Sequence, residues 1–486
     1  MRRSLLPLLP SPLAIAEAGL AWADSMSMAD FAVGWRWGAT RQQNRFISTI
    51  DEEAVCAMLG QRWRRATRAA GRPSCSLSPE LERDCTSWAY PKLHQELSQG
   101  HWHIPLRGGI PDRMPFVPLV NEYFWETLPK EWCVDNPTDC CRRIGADVAE
   151  RWVPSFTGFG IDDNVTVADE TDVQRDAHVG RREMRQGERR RVEYVTPVGT
   201  ISEVFRETAE AGKTLFREEQ LIKTAADICP YQYLWEAMSP QPDYRRTQER
   251  IDYIGTEGMA WLYVPCTPIL HLIMYDLGLE RLAYLLADHP HPMHRLLDTM
   301  AEKALAACEI AASSPAKVGI IAENSGTLLV SPTQFATYCA PIMKEYVRLF
   351  KARGRYLLLH ACGHLRGLLP QIATTGIHGI ESLTPPPTGN VDLAYARQVL
   401  GSDRTIIGGF DPIWFLNARP DQIERRVEEL AVEVYPGDHF MLMPADSTPA
   451  FSPLANFAAV RRAIERVGRW SAKGSGGATG DKVSQA

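Results

Sequence analysis

Short apolar runs alternate with amphipathic stretches through most of the chain. Residues 116–120, 259–264, 317–322, 357–360, 379–383, 405–408 and 440–443 form compact apolar runs. Such runs predict strands buried on both faces, as in a parallel sheet. Between them, helical periodicity marks residues 218–236, 279–311, 332–353, 365–374, 392–400, 420–434 and 453–467. The stretch 279–311 breaks at Asp288-His289-Pro290. The helix at 332–353 has a strong start, with Ser331 as N-cap and Pro332 at its first position. Regular alternation of strand and helix implies right-handed βαβ units. About eight units over residues 115–470 predict an α/β fold of the (β/α)8 TIM-barrel type.

The pattern is weaker elsewhere. Residues 1–110 are compositionally mixed and read as an N-terminal extension, with one helix expected at 51–70 between Asp51 and Gly71. Residues 160–192 are charged and lack apolar periodicity, which predicts a long excursion from the barrel. Its run RREMRQGERRR at 181–191 reads as a solvated loop or helix surface. The Gly/Ser-rich tail from Ser471 predicts disorder. The expected organisation is therefore 1–110 extension, 111–470 barrel and 471–486 tail.

Composition narrows the function class. The chain has 486 residues, 45% hydrophobic and 23% charged, as expected of a globular protein. A net charge of −6 makes no electrostatic case for nucleic acid. No run of eighteen apolar residues predicts a membrane span. Eleven cysteines at irregular spacing do not form a disulfide framework, which favours a reducing compartment. Arg2-Arg3 and Ala21-Trp22-Ala23 loosely resemble a signal peptide. Pro7, Pro10, Pro12 and Glu17 interrupt its apolar part, so a cytoplasmic location is expected, with Met26 or Met28 as alternative starts.

Barrels of this type carry their chemistry at the C-terminal ends of the strands. The polar residues at those ends are Glu122, Glu323, Asn324, His360, Cys362, Glu381, Asp411 and Asp446. The segment Leu357-Leu358-Leu359-His360-Ala361-Cys362-Gly363-His364 is the most informative. Residues i and i+2 of a strand face the same side, so His360 and Cys362 would point together. Imidazole and thiolate are ligands suited to zinc. The competing reading is a core histidine beside a small apolar cysteine. Glu323 is an acid/base candidate or a buried ion-pair partner. Asp411 is an anchoring carboxylate or a helix cap before Pro412. Tyr123, Phe124 and Trp125, after Glu122, form an apolar wall or pack the core.

Several segments together resemble a known family. They are Thr196-Pro197-Val198-Gly199-Thr200, Ile222-Lys223-Thr224-Ala225-Ala226-Asp227, Ser331-Pro332 with Phe335, and Arg353-Gly354-Arg355 before the His360 segment. Gly376-Ile377, Glu381-Ser382-Leu383, Gly408-Gly409-Phe410-Asp411 and Pro453-Leu454-Ala455-Asn456 follow. In order and spacing they resemble the uroporphyrinogen decarboxylase superfamily over roughly residues 115–467. That superfamily includes uroporphyrinogen decarboxylases and zinc-dependent corrinoid methyltransferases.

The decarboxylase branch implies a metal-free site with an arginine-rich N-terminal loop for an acidic tetrapyrrole. Residues 115–125 offer Glu122 and no arginine there, the wrong sign for a polycarboxylate. The methyltransferase branch implies zinc on the H-x-C pair and on a third cysteine near the last strand. His360 and Cys362 fit, but no cysteine follows Cys362, and Asp446 stands near the expected position. His364 and Glu323 are alternative third ligands. The resemblance thus implies a zinc-dependent methyltransferase or demethylase, with Glu323, Asp411 and Glu122 as catalytic candidates. Its partners would be a small-molecule methyl donor or acceptor and a corrinoid on a separate protein, with a second copy of the chain as a candidate assembly partner. A metal-free decarboxylase and a non-catalytic corrinoid- or tetrapyrrole-binding barrel are the alternatives.

Overall fold

A computed structural model describes residues 105–107, 111, 113–159, 179–207, 215–435 and 437–467. All belong to one unit, Tyr90–Ala486. The helix expected at 51–70 and the tail from 471 lie outside the described residues.

Seven strands pair in parallel in sequence order: β1 (Val148–Val153), β2 (Gly258–Val264), β3 (Val318–Ala322), β4 (Tyr356–His360), β5 (Gly379–Leu383), β6 (Thr405–Phe410) and β7 (Phe440–Pro444). Segment 116–119 closes the ring. Phe116 and Leu119 form parallel bridges to Leu442 and Ser447. On its other side the Asp147 N–H donates to the Phe116 carbonyl at 2.8 Å. The eight staves form the expected (β/α)8 barrel. Among the described residues no helix is long and apolar enough to cross a membrane.

Two apolar layers hold the barrel. Alternate strand residues, including Val117, Leu119, Ala149, Met259, Trp261, Val318, Ile320, Leu358, Ile407, Met441 and Met443, fill its interior. The opposite faces pack on the surrounding helices, Pro290–Ser313, Ala340–Lys351, Pro420–Glu433 and Leu454–Val467 among them. Gly319 shows how tight that outer layer is. A Cβ there would lie 2.4 Å from Phe350 Cζ, so glycine lets the helix approach the sheet.

Three expectations are corrected in detail. Residues 181–191 are neither helix nor loop. They lie in a hairpin of Gly180–Gln186 and Arg189–Thr196, part of a four-stranded antiparallel sheet with Gly199–Glu207 and Leu215–Glu219. This sheet is inserted between β1 and β2. Ion pairs such as Arg181–Glu183 (3.1 Å) and Arg191–Glu193 (3.0 Å) line it, and its first strand, Gly180–Gln186, lacks apolar alternation. The helix expected at 218–236 begins only at Ile228, because Leu215–Glu219 form the last strand of this sheet and Ala225–Asp227 a 3-10 turn. The helix at 332–353 contains a π-turn at Phe335–Cys339. Pro341 supplies no backbone donor, and the wider turn accommodates it.

Candidate metal centre

The site is built where β4, β5 and β7 end. Ala361 N–H still pairs with the Glu381 carbonyl at 3.0 Å, so the chain stays extended one residue past β4. His360 and Cys362 therefore do face one side, although Cys362 itself lies just beyond the strand. Asp446 follows β7 with a left-handed φ of 78°, a region aspartate tolerates better than most residues. Its N–H is held by Ser382 Oγ at 3.1 Å, and its Oδ1 accepts the Ser447 N–H at 2.7 Å. One ligand atom from each of His360, Cys362 and Asp446 lies within 4.8 Å of the others. Tetrahedral zinc with bonds near 2.0–2.3 Å needs donors roughly 3.5 Å apart. A modest contraction would close the set around an ion.

The neighbours favour such a set. Glu381 Oε2 hydrogen-bonds His360 Nδ1, which leaves Nε2 as the free donor of the ring. An imidazole oriented by a carboxylate through its second nitrogen is the usual arrangement behind a metal-bound histidine. Glu381 is in turn bonded by Arg151 Nε at 2.8 Å and Ser382 Oγ at 3.0 Å. Arg151 commits its other donors to the carbonyls of Val117, Pro118 and Ala149 and to Met443 Sδ. Its guanidinium also stacks over Trp261 at 4.8 Å.

Electrostatics follow from burial and these partners. Burial alone would raise the Glu381 pKa, but Arg151 and then His360 overcome it and hold the carboxyl at about 2. Burial would lower the His360 pKa, yet Glu381 reverses this and raises it. Burial, and then the Asp446 carboxylate, push the Cys362 thiol well above its usual range.

The other expected residues lie elsewhere. Asp411 caps the helix Pro412–Asn417. Its Oδ1 accepts the Trp414 N–H at 2.8 Å and its Oδ2 the Thr388 N–H at 2.9 Å, so both oxygens serve the backbone. Glu122 is exposed at the start of a short helix. Phe124, in the same helix, is buried against Phe457 with ring centroids 5.3 Å apart, which is core packing. His364 is not in the three-residue cluster.

Glu323 is also outside the cluster, fully buried and turned toward Thr267. It accepts the Thr267 N–H at 2.7 Å and hydroxyl at 2.5 Å. No cation offsets its burial in these contacts, and its pKa rises to about 7. The unfolded chain releases that proton near the ordinary carboxyl value, so stability falls as pH rises from about 4.5 to about 7 and the loss persists above. The shift corresponds to roughly 3 kcal/mol. Glu323→Gln keeps both Thr267 contacts without a charge. We expect it to flatten the pH dependence of urea unfolding across that window and to stabilise the protein at pH 8. An unchanged profile would contradict this environment.

Sequence reasoning missed Arg151 and the role of Glu381. Arg151 sits in Val-Ala-Glu-Arg-Trp-Val, where it looks like one more alternating polar residue. Its partner is 230 positions away, and nothing local announces the pair.

The structure is thus a (β/α)8 barrel whose rim assembles a sulfur, an imidazole and a carboxylate. Residues 264–467 match the family model of uroporphyrinogen decarboxylase (URO-D), and the resemblance seen in the motifs is borne out there. Among curated proteins, the methylated-thiol–coenzyme M methyltransferase of Methanosarcina mazei is 27% identical over 157 residues, 32% of this chain and 41% of the relative. The uroporphyrinogen decarboxylase of Myxococcus xanthus is 24% identical over 171 residues, 35% of this chain and 46% of the relative. Both are enzymes of the URO-D superfamily, and the matched segments span less than half the length of either. A solved methyltransferase from Methanosarcina mazei covers 76% of this chain and 98% of its own at 14% identity, with a TM-score of 0.48.

Proposed function

We propose that the protein is a methyltransferase of the URO-D superfamily. It holds one zinc ion on His360, Cys362 and Asp446 and moves a methyl group between a small molecule and a corrinoid on a separate protein. The observation that carries this reading is the convergence of the three ligand atoms within 4.8 Å. Zinc on three protein ligands keeps an open position and supplies Lewis acidity there. The chain does the rest. Arg151 keeps Glu381 ionised, Glu381 fixes the imidazole, and Ser382 joins Glu381 to the backbone of Asp446.

The tetrapyrrole decarboxylase reading has less support. Arg151 lies beside the site, and its donors are already committed to the protein. A polycarboxylate needs cations that are still available.

Zinc uptake must displace the Cys362 proton. That thiol is neutral through the neutral range, and the His360 pKa is raised as well, so zinc displaces one or two protons and its affinity should rise at least tenfold per pH unit between pH 6 and 8. Competitive titration with a chelator would read this, and a flat profile would exclude Cys362 as a ligand. The activity itself is tested by incubating zinc-loaded protein with methylcobalamin and a panel of thiols and phenols. Loss of the methylcobalamin spectrum with a methylated acceptor is expected. Conversion of uroporphyrinogen to coproporphyrinogen, without methyl transfer, would overturn the reading.

A further inference from the structure

The loop after β3 runs alongside the turn that carries Cys362. Pairing of β3 with β4 ends at Ala322 and His360, yet further bonds tie the two segments beyond it. Asn324 N–H donates to the His360 carbonyl at 3.1 Å, and Thr327 N–H to the His364 carbonyl at 2.9 Å. Thr327 Oγ1 donates to the same carbonyl at 3.1 Å. The root of the loop is fixed as well. Glu323 is fully buried and bonded by Thr267, and Ser325 Oγ reaches Glu323 Oε1 at 3.4 Å. From the side of β5, Thr384 Oγ1 accepts the Gly363 N–H at 3.2 Å. The Cys362 turn is thus clamped between the ends of two neighbouring strands.

Asn324 faces Cys362 inside this clamp. Its φ is 48°, a left-handed conformation that asparagine adopts more readily than most residues. The residue is exposed, so its side chain fills no space in the core. Its amide lies against the sulfur instead. The Cys362 thiol donates to Asn324 Oδ1 at 3.8 Å, a long contact of the kind sulfur makes. An amide carries an acceptor oxygen and a donor nitrogen on one planar group, and a half-turn of that group exchanges them. A thiol needs an acceptor, whereas a thiolate only accepts. Asparagine serves both forms without moving the backbone. The Asp446 carboxylate, also beside the sulfur, accepts only when ionised.

We propose that Asn324 is a positioning residue for the metal centre: its amide accepts from the Cys362 thiol and, turned over, donates Nδ2–H to the thiolate that holds zinc. The inference rests on the zinc reading of His360, Cys362 and Asp446. A hydrogen bond to a thiolate ligand fixes the direction of the sulfur and lowers the energy of its lone pairs. The first effect raises metal affinity. The second moves sulfur-to-metal charge transfer to higher energy.

The test titrates cobalt(II) into full-length protein, read by sulfur-to-cobalt absorbance, and measures zinc affinity by chelator competition. Asn324→Gly removes the amide and suits the left-handed backbone. Its zinc affinity should be about tenfold lower, its charge-transfer band should lie at longer wavelength, and its melting temperature should not change. Thr327→Ala is the control. It removes a hydroxyl bond from the same loop without touching the sulfur, and its band should stay in place. A band unmoved in Asn324→Gly would overturn the proposal whatever the affinity. So would a Thr327→Ala band displaced as far as that of Asn324→Gly, since the loop rather than the amide would then set the sulfur. Native protein without sulfur-to-cobalt absorbance removes the metal reading, and the role of Asn324 with it. A native band that Asn324→Gly leaves unmoved removes the assignment of Asn324 alone.

Discussion

Glu381→Ala should destabilise the protein by about 3–5 kcal/mol, because it strands a buried charge. The Arg151 side chain is 2% exposed and that of Glu381 fully buried, and the two are joined at 2.8 Å. Without the carboxylate, the guanidinium stays in the barrel interior with no counter-charge. The same change frees His360 Nδ1, so the ring loses the partner that fixes its orientation. Losing an outer partner of this kind weakens metal binding about 10–100-fold. Glu381→Gln should cost less stability, since an amide oxygen can still accept from Arg151, but most of the metal effect should remain.

The pH dependence of this contribution has a definite sign. The Glu381 carboxyl is held at about 2 in the folded protein, below its ordinary value. Its stabilisation is present above the unfolded carboxyl pKa and is lost as pH falls toward about 2. Urea unfolding across that range, compared with Glu381→Gln, reads the effect. Equal acid sensitivity in both proteins would contradict the described network.

Replacing Asp446 should have the second large effect, on metal rather than on fold. Asp446→Asn is the clean variant. Asparagine tolerates the left-handed backbone at this position and can still accept the Ser447 N–H. It removes the charge that a zinc ligand supplies, so affinity should fall by more than about 100-fold, beyond the range of an outer partner, with little change in melting temperature. Asp446→Cys should bind zinc again. Its cobalt-substituted form should show sulfur-to-metal charge-transfer absorbance about twice that of the native site, one thiolate having become two. Undiminished zinc affinity in Asp446→Asn would transfer the third-ligand role to another residue.

The sequence made the barrel readable because its strands are buried on both faces and appear as uninterrupted apolar runs, as at Leu357-Leu358-Leu359. The inserted sheet was hidden for the opposite reason, since charged residues with ion-pair partners line strands such as Gly180–Gln186 and leave no alternation to read. His360 and Cys362 were legible as a pair because an i, i+2 spacing on a strand end fixes their direction. Asp446 came within reach only through the order of motifs around it. The Arg151–Glu381 link was not legible, because it depends on a contact across the barrel interior. Nor were the left-handed turns at Trp152, Ser382 and Asp446, whose residue types do not announce them. Asp411 illustrates the remaining ambiguity. An aspartate before a proline at a strand end suits both chemistry and capping, and here both its oxygens cap backbone.

The most direct test is the zinc content of the purified full-length protein beside His360→Ala and Cys362→Ala. The account predicts close to one zinc per chain in the native protein and far less in each variant. A native protein with far less than one zinc, or variants that retain it in full, would contradict it.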